Sequence, residues 1–171
     1  MRRTAWLQRQ FPLIADNGLL PGIIERLAGT PARLRELVAY ARSTATPLVG
    51  WSPAKEIGHL TDLEPLWIQR VRDIVEGQPE LTAADLSNRL THETDHDAWP
   101  LAQLVERFAF QRGTLVTALR VVADADLERS ARHPRLGTAM RIVDLAYFVA
   151  EHDDHHMARM RALLVRLTVP R

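Results

Sequence analysis

The 171-residue chain has no cysteine. Disulfides, a cysteine nucleophile and thiolate-ligated metal are therefore excluded, and any metal site must be built from His, Asp and Glu. An excess of charge of one sign is also missing. The 22 basic residues stand against 21 acidic ones, with no dense basic block or interleaved aromatic series, so nothing argues for a nucleic-acid partner. No apolar run approaches the roughly 18 residues that cross a bilayer. Met1-Arg2-Arg3 starts like a signal peptide, but Gln8, Arg9 and Gln10 interrupt the apolar stretch, and the expectation is a cytoplasmic protein with no membrane partner. Convincing strand alternation and internal repeats are absent too.

What is present is helical. An apolar content of 46% with charges spread along the chain is that of a globular protein, and the length suits a single domain over residues 1–171. Residues 1–17 are short and mixed, and Asp16-Asn17-Gly18 reads as a turn or cap. From Leu19 to about Arg42 the spacing of Ile23, Ile24, Leu27, Leu34, Leu37 and Val38 is helical. Thr30-Pro31 inside it predicts either a kink or a short helix before a longer one. Ser43 to Gly50 is a connector. Ser52 as N-cap and Pro53 at the first turn open a second helix, whose apolar face runs Leu60, Leu63, Trp67, Val71 and Ile74. Pro65 within it predicts a bend just after the His59 turn. Residues 78–99 form a long connection without sustained period. Trp99-Pro100 starts a third helix carrying Leu101, Leu104, Val105, Phe108, Leu115, Leu119 and Val122. Asp124 to Gly137 is a second connector, and a fourth helix runs from about Thr138 to Thr168. The pattern predicts an all-α four-helix bundle with a long crossover connection between helices 2 and 3.

The last helix carries an irregularity. Ile142, Leu145, Val149, Met160, Leu163 and Leu167 form a core seam only if His152 and His156 are counted in it, at spacings of three and four. Buried polar side chains need partners, and two imidazoles one turn apart point the same way. His59, beside the apolar stripe of the second helix, can reach the same interior. Three neutral imidazoles could hold a divalent ion and leave a position for water or substrate. The bland alternative is three core histidines bonded to ordinary partners. His155 falls roughly 100° from His156 on the helical wheel and reads as a flank residue. His133, before Pro134, reads as a loop or surface residue.

His92-Glu93-Thr94-Asp95-His96 matches the H-E-x-x-H motif of zinc peptidases, which needs both histidines on one half-buried helix. Its neighbours Ser87, Asn88, Arg89, Thr91 and Asp97 are too polar for that, and a solvated loop with a chance match is the expectation. Asp62, one turn beyond His59, could orient an imidazole or simply face solvent. Arg112 could meet an anionic substrate or snorkel to the surface. Trp51, Trp67 and Phe148 read as core or pocket-wall residues.

The run Trp51-Ser52-Pro53-Ala54-Lys55-Glu56-Ile57-Gly58-His59-Leu60-Thr61-Asp62-Leu63-Glu64 resembles the second-helix entry of DinB-like proteins. Glu151-His152-Asp153-Asp154-His155-His156 is similar to their last-helix H-x-x-x-H element, and His133-Pro134-Arg135-Leu136-Gly137 to the turn that often precedes that helix. The resemblance spans most of the chain from about residue 20. It implies a four-helix bundle of atypical connection order and a divalent metal at the positions of His59, His152 and His156. Some relatives carry Glu where this chain has His152. It further implies a thiol-dependent transferase or isomerase that uses a low-molecular-weight thiol on a small electrophile, with zinc or nickel foremost and iron or manganese as alternatives. Relatives of this kind are often homodimers. The competing expectation is a non-catalytic metal-binding or stress-related dimerisation module.

Overall fold

The computed structural model describes residues 5–39 and 50–168. The connector expected from Ser43 to Gly50 lies outside the described residues except for Gly50 itself. The helices are α1 (Leu20–Ala28), α2 (Thr30–Ala39), α3 (Pro53–Val75), the short α4 (Arg89–Glu93), α5 (Leu101–Arg120) and α6 (Ile142–Thr168). The Thr30-Pro31 interruption resolves into two helices parted at Gly29. The connector after α5 holds a two-stranded antiparallel hairpin, β1 (Ala131–Arg132) with β2 (Ala139–Met140). The last helix consequently begins at Ile142 rather than about Thr138.

Local chemistry sets the ends of α3. The Ser52 side chain accepts a hydrogen bond from the Lys55 amide at 3.0 Å, and Pro53 occupies the first turn, where its missing N–H costs nothing. At the other end Gly77 takes φ +73°, which lets the amides of Gly77 and Gln78 reach back to Ile74 O and Asp73 O at 3.1 and 2.8 Å. That is a Schellman closure, and a side chain there would strain the backbone. Between these ends α3 runs as one element through Pro65.

The four arms of the bundle are α1–α2 together, α3, α5 and α6. One apolar cluster joins Ile23 and Leu27 of α1 to Trp67, Val71 and Ile74 of α3, Leu115 and Leu119 of α5, and Leu145 and Val149 of α6. A second joins Leu34 of α2 to Ile57 and Leu60 of α3, Leu104 and Phe108 of α5, and Met160 of α6. Early residues of α3 and α5 thus share one cluster and late residues the other. The two helices run in the same direction, while α1–α2 and α6 run against them. The 76–100 connection returns along α3: it pairs with the hairpin through Leu81 N to Arg132 O at 3.0 Å and Arg132 N to Pro79 O at 3.0 Å, then packs α4 against the first half of α3.

Between the two clusters lies a charged layer. Arg112, 1% exposed, donates to Glu64 Oε1 from Nη2 at 2.6 Å, to Asp153 Oδ1 from Nη2 at 3.0 Å, and to Asp153 Oδ2 from Nη1. Thr30 of α2 donates its hydroxyl to Asp153 at 2.9 Å. The guanidinium therefore ties α3, α5 and α6 together, and Thr30 adds α2. Neither sequence expectation for Arg112 survives, because two protein carboxylates take up its donors in the core, leaving it neither at the surface nor free for a substrate. Burial alone would lower its pKa, but Asp153 and Glu64 outweigh that and raise it; burial pushes Glu64 up to about 7 against the pull of Arg112. Removing one member of such a cluster leaves uncompensated charge in the core. Arg112→Ala is expected to cost roughly 3–5 kcal/mol of stability, read as a lowered denaturant midpoint in equilibrium unfolding.

Candidate metal centre

Antiparallel packing of α6 on α3, keyed by Asp153 against Glu64 through Arg112, brings His152 and His156 opposite His59. All three side chains are buried, and one ring nitrogen of each lies within 4.8 Å of the others. The Nε2 atoms of His152 and His156 are 3.1 Å apart. That is close to the ~3.4 Å edge of a tetrahedron with ~2.1 Å metal–nitrogen bonds.

The surroundings decide which nitrogen of each ring points inward. The Thr91 hydroxyl donates to Asp62 Oδ2 at 2.8 Å, so its oxygen accepts from His59 Nδ1 at 3.1 Å. His59 thereby carries its proton on Nδ1 and leaves the Nε2 lone pair free. His156 Nδ1 lies 2.5 Å from Glu56 Oε2, whose other oxygen is 2.7 Å from Arg159 Nε; in the ionised form of Glu56, which Arg159 favours, Nδ1 donates to the carboxylate and Nε2 is again free. Among the described residues His152 has no partner on Nδ1, and its one polar contact is the His156 ring. Three neutral rings in this arrangement bring converging lone pairs with at most one proton to share, and a cation satisfies them. Burial holds all three neutral: His59 is lowered to about 4 and the other two well below the usual histidine value. Burial also raises Glu56 to about 7, opposed by Arg159. The donor set fits a divalent ion.

Asp62 turns out to orient His59 through Thr91, and its other donor is His96 Nε2 at 3.0 Å. The close approach depends on Gly58, because a Cβ there would sit 2.3 Å from the His96 ring. His92 is exposed, on α4, while His96 is buried on a separate 3-10 turn, with the chain extended at Thr94 between them. The H-E-x-x-H spacing therefore forms no ligand pair, although His96 is not the solvated residue expected. Its role is to brace Asp62.

The triad opens onto a cavity of about 410 Å³, walled by Trp6, Trp51, Trp67 and Phe148. The reading of Trp51, Trp67 and Phe148 as wall residues agrees with this. His155 also lines the cavity, half-buried and stacked on Trp6 at 5.3 Å. His133 is a correction: it is 3% exposed and part of the wall, because the hairpin folds it inward. Thr91 and Glu56 were missed as supports. Glu56 had a signal, since it precedes Leu60 and Leu63 by four and seven residues on the apolar stripe. Thr91, in a polar connector, had none.

The sequence matches the DinB superfamily over residues 26–160. The chain belongs to this superfamily. Among solved structures it is similar to YfiT from Bacillus subtilis, described as a probable metal-dependent hydrolase with an unusual four-helix bundle topology. The two share 19% identity over 95% of each chain, with a TM-score of 0.75. No curated protein matches the chain. In this DinB superfamily member the Asp62–Thr91–His59 chain fixes a ring that the site needs. Thr91→Val is expected to weaken metal affinity about 10- to 100-fold with little loss of fold, measured by competition with a chelator. Gly58→Ala, which displaces His96 from Asp62, is expected to act in the same direction and to cost about 1–3 kcal/mol of stability.

Proposed function

We propose that this protein is a divalent-metal-dependent enzyme in which His59, His152 and His156 hold one ion at the wall of the aromatic cavity. The observation that carries the reading is the convergence of three neutral imidazoles with no fourth protein ligand among the described residues, beside a cavity of ligand size. A site closed by a fourth side chain would instead suit a non-catalytic module. Zinc and nickel accept such a set most readily, with iron and manganese next.

A divalent ion in that position supplies a positive charge that lowers the pKa of a thiol or water beside it. The chain does the rest. Thr91 and Glu56 keep His59 and His156 in the tautomers that face the ion. Trp6, Trp51 and Trp67 exclude bulk water and offer flat apolar surface to a small electrophile. The finer reading, supported by the resemblance to thiol-using DinB-like proteins, is S-transfer or isomerisation with a low-molecular-weight thiol. YfiT, as described, favours water as the nucleophile and hydrolysis as the second reading.

Elemental analysis of purified protein is expected to give about one ion per chain, and His156→Ala, shown to be folded by circular dichroism, well under that. Stoichiometric metal in the variant would sink the site assignment. Turnover of small electrophiles is expected to need both metal and thiol; metal-dependent turnover indifferent to thiol would select hydrolysis.

A further inference from the structure

Arg70 and Arg112 are equally buried, each 1% exposed, yet they are treated differently. Arg112 has two carboxylates. Among the described residues, no carboxylate forms an ion pair with Arg70. It donates from Nε to the Thr82 carbonyl at 2.9 Å, and its Nη1 lies 3.2 Å from His133 Nε2. Asp73, one turn away, spends its oxygens on the Thr82 amide at 2.7 Å and on Gln69 at 3.0 Å. A buried guanidinium is ordinarily paired, and this one lines the cavity beside the histidine triad.

Its neighbour makes the imbalance sharper. His133 Nδ1 faces the backbone amides of Arg135 and Leu136 at 3.2 and 3.3 Å, while its Nε2 faces Arg70. Both ring nitrogens therefore look at donors, but a neutral imidazole accepts at only one. If Nδ1 accepts, the Nε2 proton points at Arg70; if Nε2 accepts, two amides go unanswered. Arg135 adds to the surplus. Its Nη1 donates to Leu7 O at 2.8 Å, and its Nη2 is buried without a partner among the described residues. Burial lowers Arg70 to about 10 against the opposing charge of Asp73, and Arg135 adds to the lowering. Among the described residues Asp85 is the one carboxylate on the cavity wall, and it is already held by Ser87 and the Arg89 amide.

We propose that Arg70, His133 and Arg135 form an oxyanion subsite that recognises the carboxylate or phosphate of a small organic acid whose reactive end faces the metal. An oxyanion supplies the acceptors this cluster lacks, and a guanidinium is the side chain suited to planar or tetrahedral oxygens. Aromatic rings connect the two ends of the cavity: Trp67 lies 5.3 Å from the Arg70 guanidinium and 5.7 Å from the His152 ring, and Phe148 lies 5.2 Å from His133. The substrate class is thus an anionic group joined to a flat or apolar body. The subsite stands on its own donors; its role in choosing the substrate rests on the metal-enzyme reading above.

Calorimetric binding of phenyl phosphate, phenylacetate and neutral phenylacetamide, to metal-free and zinc-loaded protein, tests this. One or both anions are expected to bind the metal-free protein at least about tenfold more tightly than the amide, and the preferred anion identifies the oxyanion as phosphate or carboxylate. Arg70→Met is expected to lower that affinity about 10- to 100-fold while zinc stoichiometry stays unchanged. Arg135→Met, at a partly exposed position where folding is safe, is expected to lower it by a smaller factor. Equal binding of amide and anions, or anion affinity unchanged in both variants, overturns the subsite. Anion binding seen only with zinc and indifferent to both variants overturns it while sparing the metal site. Anion binding with no zinc uptake sinks the metal reading alone.

Discussion

One guanidinium, that of Arg112, sets the packing of the bundle. It sits between two apolar clusters and takes Glu64 from α3 and Asp153 from α6, with the α2 hydroxyl of Thr30 completing the contact. Hydrophobic surfaces slide past one another at little cost in direction, whereas a buried charge tolerates very few positions. Slipping α6 by one turn against α3 would part Asp153 from Arg112 and leave both charges in the core. The apolar clusters supply the bulk of the driving force, and the charged layer selects the register.

The histidine centre inherits that register. Asp153 adjoins His152, and Glu64 lies five residues beyond His59, so aligning the carboxylates also aligns the imidazoles. Two of the three inward nitrogens are then prepared by an outer support. Asp62 acts on His59 through Thr91, and Glu56 acts on His156 with Arg159 behind it. His152 is framed by the aromatic rings of Trp6 and Trp67 at 5.1 and 5.7 Å. A bundle interior is an expensive place for so many polar atoms, and the cost is met because nearly every one has a defined partner. Among the described residues the exceptions include His152 Nδ1 and Arg135 Nη2 on the cavity wall, with Asn17 Oδ1 and Thr138 Oγ1 away from it.

Much of the architecture was legible in the residues because helices declare themselves by period. The Ser52-Pro53 start, the stripe from Leu60 to Ile74 and the seam of α6 all follow from spacing alone. His152 and His156 stood out because they interrupt that seam. His59 was weaker, lying beside its stripe rather than on it. His133 was misread because a turn of His, Pro, Arg and Gly looks like surface in any sequence; its burial comes from a hairpin of two-residue strands, too short to leave a period. Arg112 was misread for a related reason. An arginine amid apolar spacing gives no sign of whether distant carboxylates will meet it.

By itself the sequence determined that this chain is a helical bundle, that any metal ligands it supplies could not be thiolates, and that two histidines of the last helix face the core. These are local matters, governed by composition and by a repeat of about 3.6 residues. Tertiary structure alone decided that the third imidazole meets the other two, which tautomers Thr91 and Glu56 favour, and that Arg70 is buried with no ion-paired carboxylate among the described residues. Each of those depends on atoms distant in the sequence being held within a few ångströms of one another. A hydrogen bond falls off over fractions of an ångström, while sequence spacing constrains only the face on which a residue lies.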